Sequence, residues 1–402
     1  MSRSKPTILV LMGGYWPGHE ATGPNQNLRH MLSELADDYT FKIVARDRPP
    51  GASLPLAQGG VWNERDLAQI QHCRISWRGA EGLSDLLRTS DYDVLALNGF
   101  FDREFTIPAL TLRRLGRIPR KPTILSVHGE MGAGALRLKA GRKRAYIALS
   151  RHSKLLRSIW IHATSAREAD DIDAQDLGSK GILNSPNLCR LVSPNAPRTK
   201  LSDGTMRLVF VGRVARMKNL HFAINVLRQV RTPVTFEIIG PIVDPAYWSE
   251  IRHSISSLPR HIQVTHCGEI ANDLVPDRIA GAELFFLPTL GENFGHAIFE
   301  ALSSGVPVLI SDRTPWQNLA GQSAGWNLPL CEPRAFVLAI ETLAAMTAPK
   351  RAALRAGARA LAERYVVGTD ASGAARRMFE TVLYDRPAAA VPVAAHNPVA
   401  AE

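Results

Sequence analysis

Cysteine is scarce and dispersed. Cys73, Cys189, Cys267 and Cys331 are the only four among 402 residues, and no two of them form a CxxC pair. That spacing suggests neither a disulfide framework nor a zinc site, and it fits a reducing compartment. Long apolar runs are missing too. The run at residues 8–12 is too short for a signal-peptide core and is followed by Gly13-Gly14. No stretch approaches the roughly 20 apolar residues that span a bilayer. A cytoplasmic protein is therefore expected, with at most a peripheral attachment to the inner membrane face. Acidic residues are outnumbered, 37 Asp and Glu against 48 Lys and Arg, for a formal charge of +11. Phosphorylated substrates, anionic lipid and nucleic acid all suit such a surface. Nothing resembles a helix-turn-helix, a zinc finger or an aromatic RNA-binding signature, so nucleic acid is not expected as a partner.

What the chain does contain is ordinary for a soluble globular protein, with 45% hydrophobic and 21% charged residues. Its length suits two domains of roughly 150 to 200 residues. Short apolar runs at 7–12, 41–45, 94–97, 123–127, 159–163 and 190–193 read as strands of the first half. Those at 208–211, 235–239, 263–266, 284–287 and 306–310 read as strands of the second half. Leu28, Met31, Leu32 and Leu35 recur at helical spacing, as do Leu220, Ala223, Ile224 and Leu227. Nearly continuous apolar strands separated by helices predict parallel sheets covered on both faces, hence two doubly wound α/β domains. The boundaries read as 1–198 and 206–367, with a seam at 195–206 where Pro, Ser, Thr, Lys and Gly cluster. The Ala-, Pro- and Val-rich residues 387–402 are expected to be a disordered tail.

Chemistry concentrates in LPTLGENFGHAIFEALSSGVPVLISDRTPW, residues 287–316. A strand ends, a glycine-containing loop follows, and a helix starts near Gly295 or His296. The free N–H groups and positive end of that helix suit a diphosphate. Glu292 and Glu300 would be repelled by phosphate, so they are expected to accept hydrogen bonds from sugar hydroxyls, Glu300 from the ribose and Glu292 from the transferred sugar. A solvent-facing Glu300 near a helix start is the other reading of that residue alone. In FVGRVARMKNL, residues 210–220, a strand delivers Gly212 and then two cations, Arg213 and Lys218. They could neutralise a leaving diphosphate by charge-assisted bonds, or form a solvated basic turn.

The first half offers weaker signals. GGYWPGHEATGPNQNL, residues 13–28, follows a strand, and its glycines, Gly14 among them, permit close approach to a ligand, but it is neither GxGxxG nor a Walker loop. His128 follows an apolar strand and precedes Gly129-Glu130, placing it at the carboxyl rim of the sheet. There it could donate to a sugar hydroxyl or support charge near the reacting carbon; a structural histidine is the alternative. Asp91-Tyr92-Asp93 sits at the start of a strand and Asp171-Ile172-Asp173 in a polar helix, so both triplets read as structural and no metal is expected. His19-Glu20 lacks the second histidine of a zincin. Between residues 103 and 160 stand fourteen Lys or Arg against two Glu, densest over 137–157. With Tyr146, Ile147 and Leu149 interleaved, that segment reads as a basic amphipathic surface for anionic lipid or a lipid-diphosphate acceptor, or as a plain solvated face.

GENFGHAIFEALSSGVPVLISD resembles the E-x7-E signature of the retaining glycosyltransferases of family 4, which have the GT-B fold, two Rossmann-like domains facing each other across a cleft. GRVARMKN is similar to the same family's phosphate-binding turn, and the run through SDRTPW is similar to bacterial members that build surface polysaccharides. The likeness is strong over residues 206–330 and weaker over 7–195. It implies that Glu300 holds the ribose and that Arg213 and Lys218 hold the diphosphate. Glu292 with the backbone of Asn293, Phe294 and Gly295 would meet donor sugar and phosphate, and His128 would lie beside the reacting sugar. Residues 267–270, Gly268 and Ile270 among them, would line the base, and a last helix at about 368–386 would cross back to the first domain. Also implied is metal-free transfer of a hexose, UDP-linked by family weighting, with retained configuration onto a saccharide or lipid-linked acceptor of exopolysaccharide, capsule or lipopolysaccharide synthesis. No glycosidase-like carboxylate pair is identifiable, which favours front-face chemistry over a covalent intermediate. An epimerase or phosphorylase of the same fold, or a non-catalytic nucleotide-sugar binder, are the rival readings.

Overall fold

A computed structural model of the chain describes residues 5–15, 23–48, 54–55, 59–65, 67–76, 79–137, 139–194 and 204–385. The chain divides into two compact units, one built on Met1–Cys189 with Asp370–Ala394 and the other on Arg190–Thr369. The expected seam at 195–206 falls mostly outside the described residues, as do the tail at 387–402 and the pair His19-Glu20.

The first unit holds an eight-stranded sheet. Its strands are β1 (Thr7–Met12), β2 (Thr40–Arg46), β3 (Trp62–Arg65), β4 (Ala68–Cys73), β5 (Val94–Asn98), β6 (Thr123–Ser126), β7 (Trp160–Ala163) and β8 (Gly181–Asn184). They lie in the order β8-β7-β6-β5-β1-β2-β4-β3, with all neighbours parallel except the β3–β4 pair. β1 buries five of its six residues, a pattern that requires helices on both faces. Helix Gly23–Leu35 covers it with Leu28, Met31, Leu32 and Leu35. The last helix, Ala371–Tyr384, belongs to this unit and not to the one that precedes it in sequence. Its Phe379 ring lies 5.5 Å from Tyr39 and 6.4 Å from Phe41, and Arg376 pairs with Asp38 at 2.6 Å.

Residues 190–193, expected as a strand, are not one. Val192 instead spends its N–H on Ser303 Oγ at 2.7 Å and its carbonyl on Arg359 Nη1 at 2.7 Å, groups that leave no ladder to build. The edge strand is β8, paired in parallel with β7.

The second unit holds a six-stranded sheet in the order β11-β10-β9-β12-β13-β14, parallel throughout. Here β9 is Met206–Val211, β10 Val234–Ile239, β11 Ile262–Gly268, β12 Leu284–Leu287, β13 Val308–Ser311 and β14 Gly325–Leu328. Helix Leu220–Leu227, which buries Leu220, Ala223, Ile224 and Leu227, connects β9 to β10. The chain moves outward from β9 through β10 and β11, then returns to the other side of β9 with β12. The strand order therefore reverses between the adjacent strands β9 and β12, and open α/β sheets bind ligands outside the carboxyl ends of their strands at such a switch point.

Three glycines line that edge. Gly240, which follows β10, has φ 138°, and a Cβ there would stand 2.2 Å from the carbonyl oxygen of Gly212. The Gly240 N–H also donates to Gly268 O at 2.8 Å, so 212, 240 and 268 stand side by side. Replacing Gly240 by alanine must push the two loops apart. Gly240→Ala is expected to destabilise the protein by about 2–4 kcal/mol, read as a lowered urea midpoint. An unchanged midpoint would show that the rim has slack.

Candidate active site

Past β9 the cations sort themselves by what surrounds them. Arg213 is exposed and makes no ion pair among the described residues. Arg216 turns outward to scaffold the loop, pairing with Glu250 at 2.6 Å and lying 5.0 Å over the Tyr247 ring. Lys218, at the end of the short 3-10 turn Arg216–Lys218, reaches Glu292 Oε1 with its Nζ at 2.6 Å. The two side chains are only 20% and 11% exposed. An ammonium group has three donors, so this contact leaves Lys218 two for an anion. The carboxylate is thus held beside the cation, which removes the repulsion that a phosphate nearby would otherwise meet.

The loop after β12 is bonded to the loop after β9 along its length. Leu290 N–H donates to Met217 O at 2.8 Å, Thr289 Oγ1 to the same carbonyl at 3.1 Å, and Asn219 Nδ2 to Pro288 O at 3.0 Å. From the far side Ser311 Oγ donates to Thr289 O at 2.6 Å, and Glu292 N–H to Arg313 O at 3.1 Å. Trp316, buried at 1% exposure, donates its Nε1–H to Phe294 O at 2.7 Å. Its ring packs 5.4 Å from both Phe294 and Tyr365. This Trp anchor, and the Thr289 and Ser311 bonds, were not among the expected site residues.

Helix His296–Ser303 then begins after Gly295, which sits in the left-handed region at φ 83° and supplies no side-chain cap. A Cβ at 295 would stand 2.8 Å from Ile298 Cδ1, so glycine is required there. Ile298 N–H donates back to Gly295 O at 2.8 Å, and the positive end of the helix favours an anion placed there. One turn on, the Glu300 carboxylate accepts no hydrogen bond among the described residues, and burial pushes its carboxyl up to about 7. A desolvated acceptor with no donor is chemically unfinished, because its ionised form awaits hydroxyl or N–H groups. Asn293 and Ile270 are part-buried on the flanking loops, and burial raises the Cys267 thiol. The second unit therefore gathers Gly212, Lys218, Glu292, Phe294, Gly295 and Glu300 on two bonded loops and one helix start, with Arg213 and Gly268 at the margin.

In the first unit, Gly14 is part-buried in the coil after β1, and residues 16–22 of the glycine-rich stretch lie outside the described residues. His128 follows β6 in a left-handed conformation at φ 49°. Its Nε2 lies 2.8 Å from Asn98 Oδ1, and Asn98 ends β5, the strand between β6 and β1. Glu168, 2% exposed, accepts from Gly129 N–H and from Thr164 N–H and Oγ1 at 2.7 and 2.6 Å. Burial pushes that carboxyl up, but these bonds outweigh it and hold it below its ordinary value. It stays ionised. Burial pushes the His128 imidazole down to about 4, against the pull of Glu168. Asn98 and Glu168 were missed. The signal for Asn98 was available, because it is the polar residue that closes an otherwise apolar strand. Asp93 is structural: its Oδ2 accepts from Thr7 N–H at 2.8 Å, at the amino end of the sheet.

Residues 205–346 match the family model for glycosyl transferases group 1. That segment lies within the second unit and includes Gly212, Lys218, Glu292 and Glu300. The fold of the whole chain agrees with glycosyltransferases of the GT-B class. Sucrose-phosphate synthase (tll1590) from Thermosynechococcus elongatus superposes with a TM-score of 0.73 at 15% identity, covering 95% of this chain and 100% of that one. Anabaena Alr3699/HepE, solved in complex with UDP and glucose, superposes at 0.66 and 17% identity, covering 94% and 99%. WaaG, a glycosyltransferase involved in lipopolysaccharide biosynthesis, gives 0.61 at 13% identity, covering 93% and 99%. No curated protein matches the chain by sequence. No helix among the described residues is long and apolar enough to cross a membrane.

Proposed function

We propose that this glycosyltransferase moves a hexose from a UDP-linked donor to a saccharide or lipid-linked saccharide with retention of anomeric configuration, and that it needs no metal. The observation that carries the reading is Glu300, a desolvated carboxylate without a donor among the described residues, one turn into a helix that starts at a left-handed glycine beside the Lys218–Glu292 pair. A nucleoside diphosphate sugar supplies what each part lacks. The ribose hydroxyls donate to Glu300. The phosphates take the helix start, Lys218 and Arg213. The backbone around Asn293 to Gly295 and the Glu292 carboxylate meet sugar and phosphate, and Gly268 and Ile270 flank the base. Solved relatives of the same fold hold UDP, which supports the choice of base.

In this scheme the bond between the anomeric carbon and the phosphate oxygen breaks as the acceptor oxygen closes on the same face. The electron pair leaves with UDP, and the acceptor's proton passes to the departing phosphate oxygen. Lys218 and Arg213 stabilise the charge that develops there. His128 stands by the reacting sugar. The exposed cations Arg142, Arg144, Arg151, Lys154 and Arg157 would draw the first unit to anionic lipid or to a lipid-diphosphate acceptor at the inner membrane face, in the building of a surface polysaccharide. The test is to incubate the protein with UDP-glucose and other UDP-hexoses, with and without EDTA and with bacterial glycolipid extract. UDP release accompanied by an α-configured product, unaffected by EDTA, is expected. Inverted product, or release that EDTA abolishes, would overturn the retaining metal-free scheme.

A further inference from the structure

The three-residue cluster Leu11, Asn98 and His128 carries more information than a position for a histidine. Asn98 Nδ2 donates to the backbone carbonyl of Leu11 at 3.1 Å. Rotating the amide by half a turn would set its oxygen against that carbonyl, so the orientation is fixed. Asn98 Oδ1 is then an acceptor only, and the ring nitrogen 2.8 Å away, His128 Nε2, has to bring the proton. A neutral imidazole carries one proton, so Nδ1 is left as a bare lone pair. The neighbours keep the ring neutral. His162 lies beside it on β7, 2% exposed, its Nε2 committed to Ser185 O and its Nδ1 to Ser126 Oγ, both at 2.8 Å. Glu168, the one carboxylate that draws on His128, spends its oxygens on Gly129 and Thr164. His128 Nδ1 has no hydrogen bond among the described residues, and the left-handed backbone at 128 holds the ring at the carboxyl edge of the sheet.

We propose that Asn98 is a positioning residue that fixes His128 as its Nε2-protonated tautomer, so that His128 accepts a hydrogen bond from a substrate hydroxyl and does not donate one. This reverses the expectation drawn from the sequence that the ring donates. It rests on the transferase reading for the owner of that hydroxyl, a sugar, whereas the tautomer itself stands on the free protein. The consequence is selective: a sugar must present a proton here, so a fluorine in place of that hydroxyl would be no better than a hydrogen.

The test is nitrogen-resolved NMR of the histidine rings in the whole unliganded chain at neutral pH, with wild type, Asn98→Leu and Asn98→Asp compared. The expected wild-type pattern is a protonated Nε2 and a bare Nδ1. Asn98→Leu should move His128 to a mixture of tautomers, while the signals of His162 stay in place and report an intact fold. Asn98→Asp should keep Nε2 protonated and raise the pH at which Nδ1 takes a proton, because a carboxylate now faces the ring. It also serves if Asn98→Leu does not fold. A wild-type Nδ1 that carries the proton, or His128 signals unmoved in both variants, would overturn the proposal. Addition of UDP-glucose should then shift Nδ1 without protonating it, and protonation of Nδ1 on binding would overturn the acceptor role. If UDP-glucose does not bind while the tautomer is as expected, the transferase reading fails and the tautomer assignment is supported.

Discussion

Lys218→Ala is expected to lower the transfer rate by roughly 10²- to 10³-fold, with a much smaller change in donor KM. The reason is where its charge acts. Phosphate charge grows as the sugar leaves, and a fixed ammonium in a part-buried loop gains most from that growth. The same substitution has a second effect on the free protein. Lys218 and Glu292 are paired at 2.6 Å with little exposure, so removing one strands the other. A cost of about 2–4 kcal/mol is expected in Lys218→Ala and likewise in Glu292→Ala. A double replacement, Lys218→Met with Glu292→Leu, should recover most of that stability and none of the activity. Chemical denaturation and initial rates on the same four proteins separate the two roles. Recovery of activity in the double variant would show that the pair serves the fold alone.

Glu300→Gln is expected to weaken UDP-glucose binding at pH 8 roughly 10- to 100-fold while making the free protein more stable at that pH. Both signs follow from one fact, the carboxyl pushed up to about 7 by burial. Folding favours the protonated acid, so this group's stabilising contribution is full below its unfolded pKa of about 4.3 and is lost as pH rises through about 7. At pH 8 the wild type bears a half-buried anion with no donor among the described residues, which the glutamine removes. Hydroxyl donors reverse the preference, because they bond the ionised form. Wild-type affinity for UDP-glucose, whose phosphates do not titrate in this range, should therefore fall as pH drops from 8 to 5. In Glu300→Gln the profile should be flat. A wild type with pH-independent affinity would mean that Glu300 does not touch the donor.

The fold could be read from the sequence wherever burial is two-sided. β1, β9 and β12 are almost wholly apolar, and their limits are clear from composition. The edges were not legible. β4, AQIQHC, alternates polar with apolar residues because β3 leaves it near the margin of the sheet, and β8 and β14 are four residues each, with glycine at their start. The run at 190–193 has the composition of a strand, but its polar backbone is claimed by Ser303 and Arg359. In the site, residues that need special backbone or bear charge announced themselves: Gly212, Lys218, Glu292, Gly295 and Glu300. Those that work through another loop's backbone did not. Trp316 reads as core until its indole is seen on Phe294 O, and Glu168 reads as the acid of a helix start, Ser165-x-x-Glu168, until its carboxylate is found on Gly129. The Lys218–Glu292 pair spans residues 74 apart in sequence, and no local pattern encodes it.

The proposed transfer requires that the second unit bind a nucleoside diphosphate through Lys218, the start of helix His296–Ser303 and Glu300. Calorimetric titration of UDP, GDP and ADP into the whole chain, with and without EDTA, and into the Lys218→Ala and Glu300→Gln variants, tests it most directly. One nucleotide, UDP, should bind at a single site, be indifferent to EDTA, and bind each variant at least tenfold more weakly. Failure of all three nucleotides to bind at millimolar concentration, or equal affinity in wild type and both variants, would contradict the account.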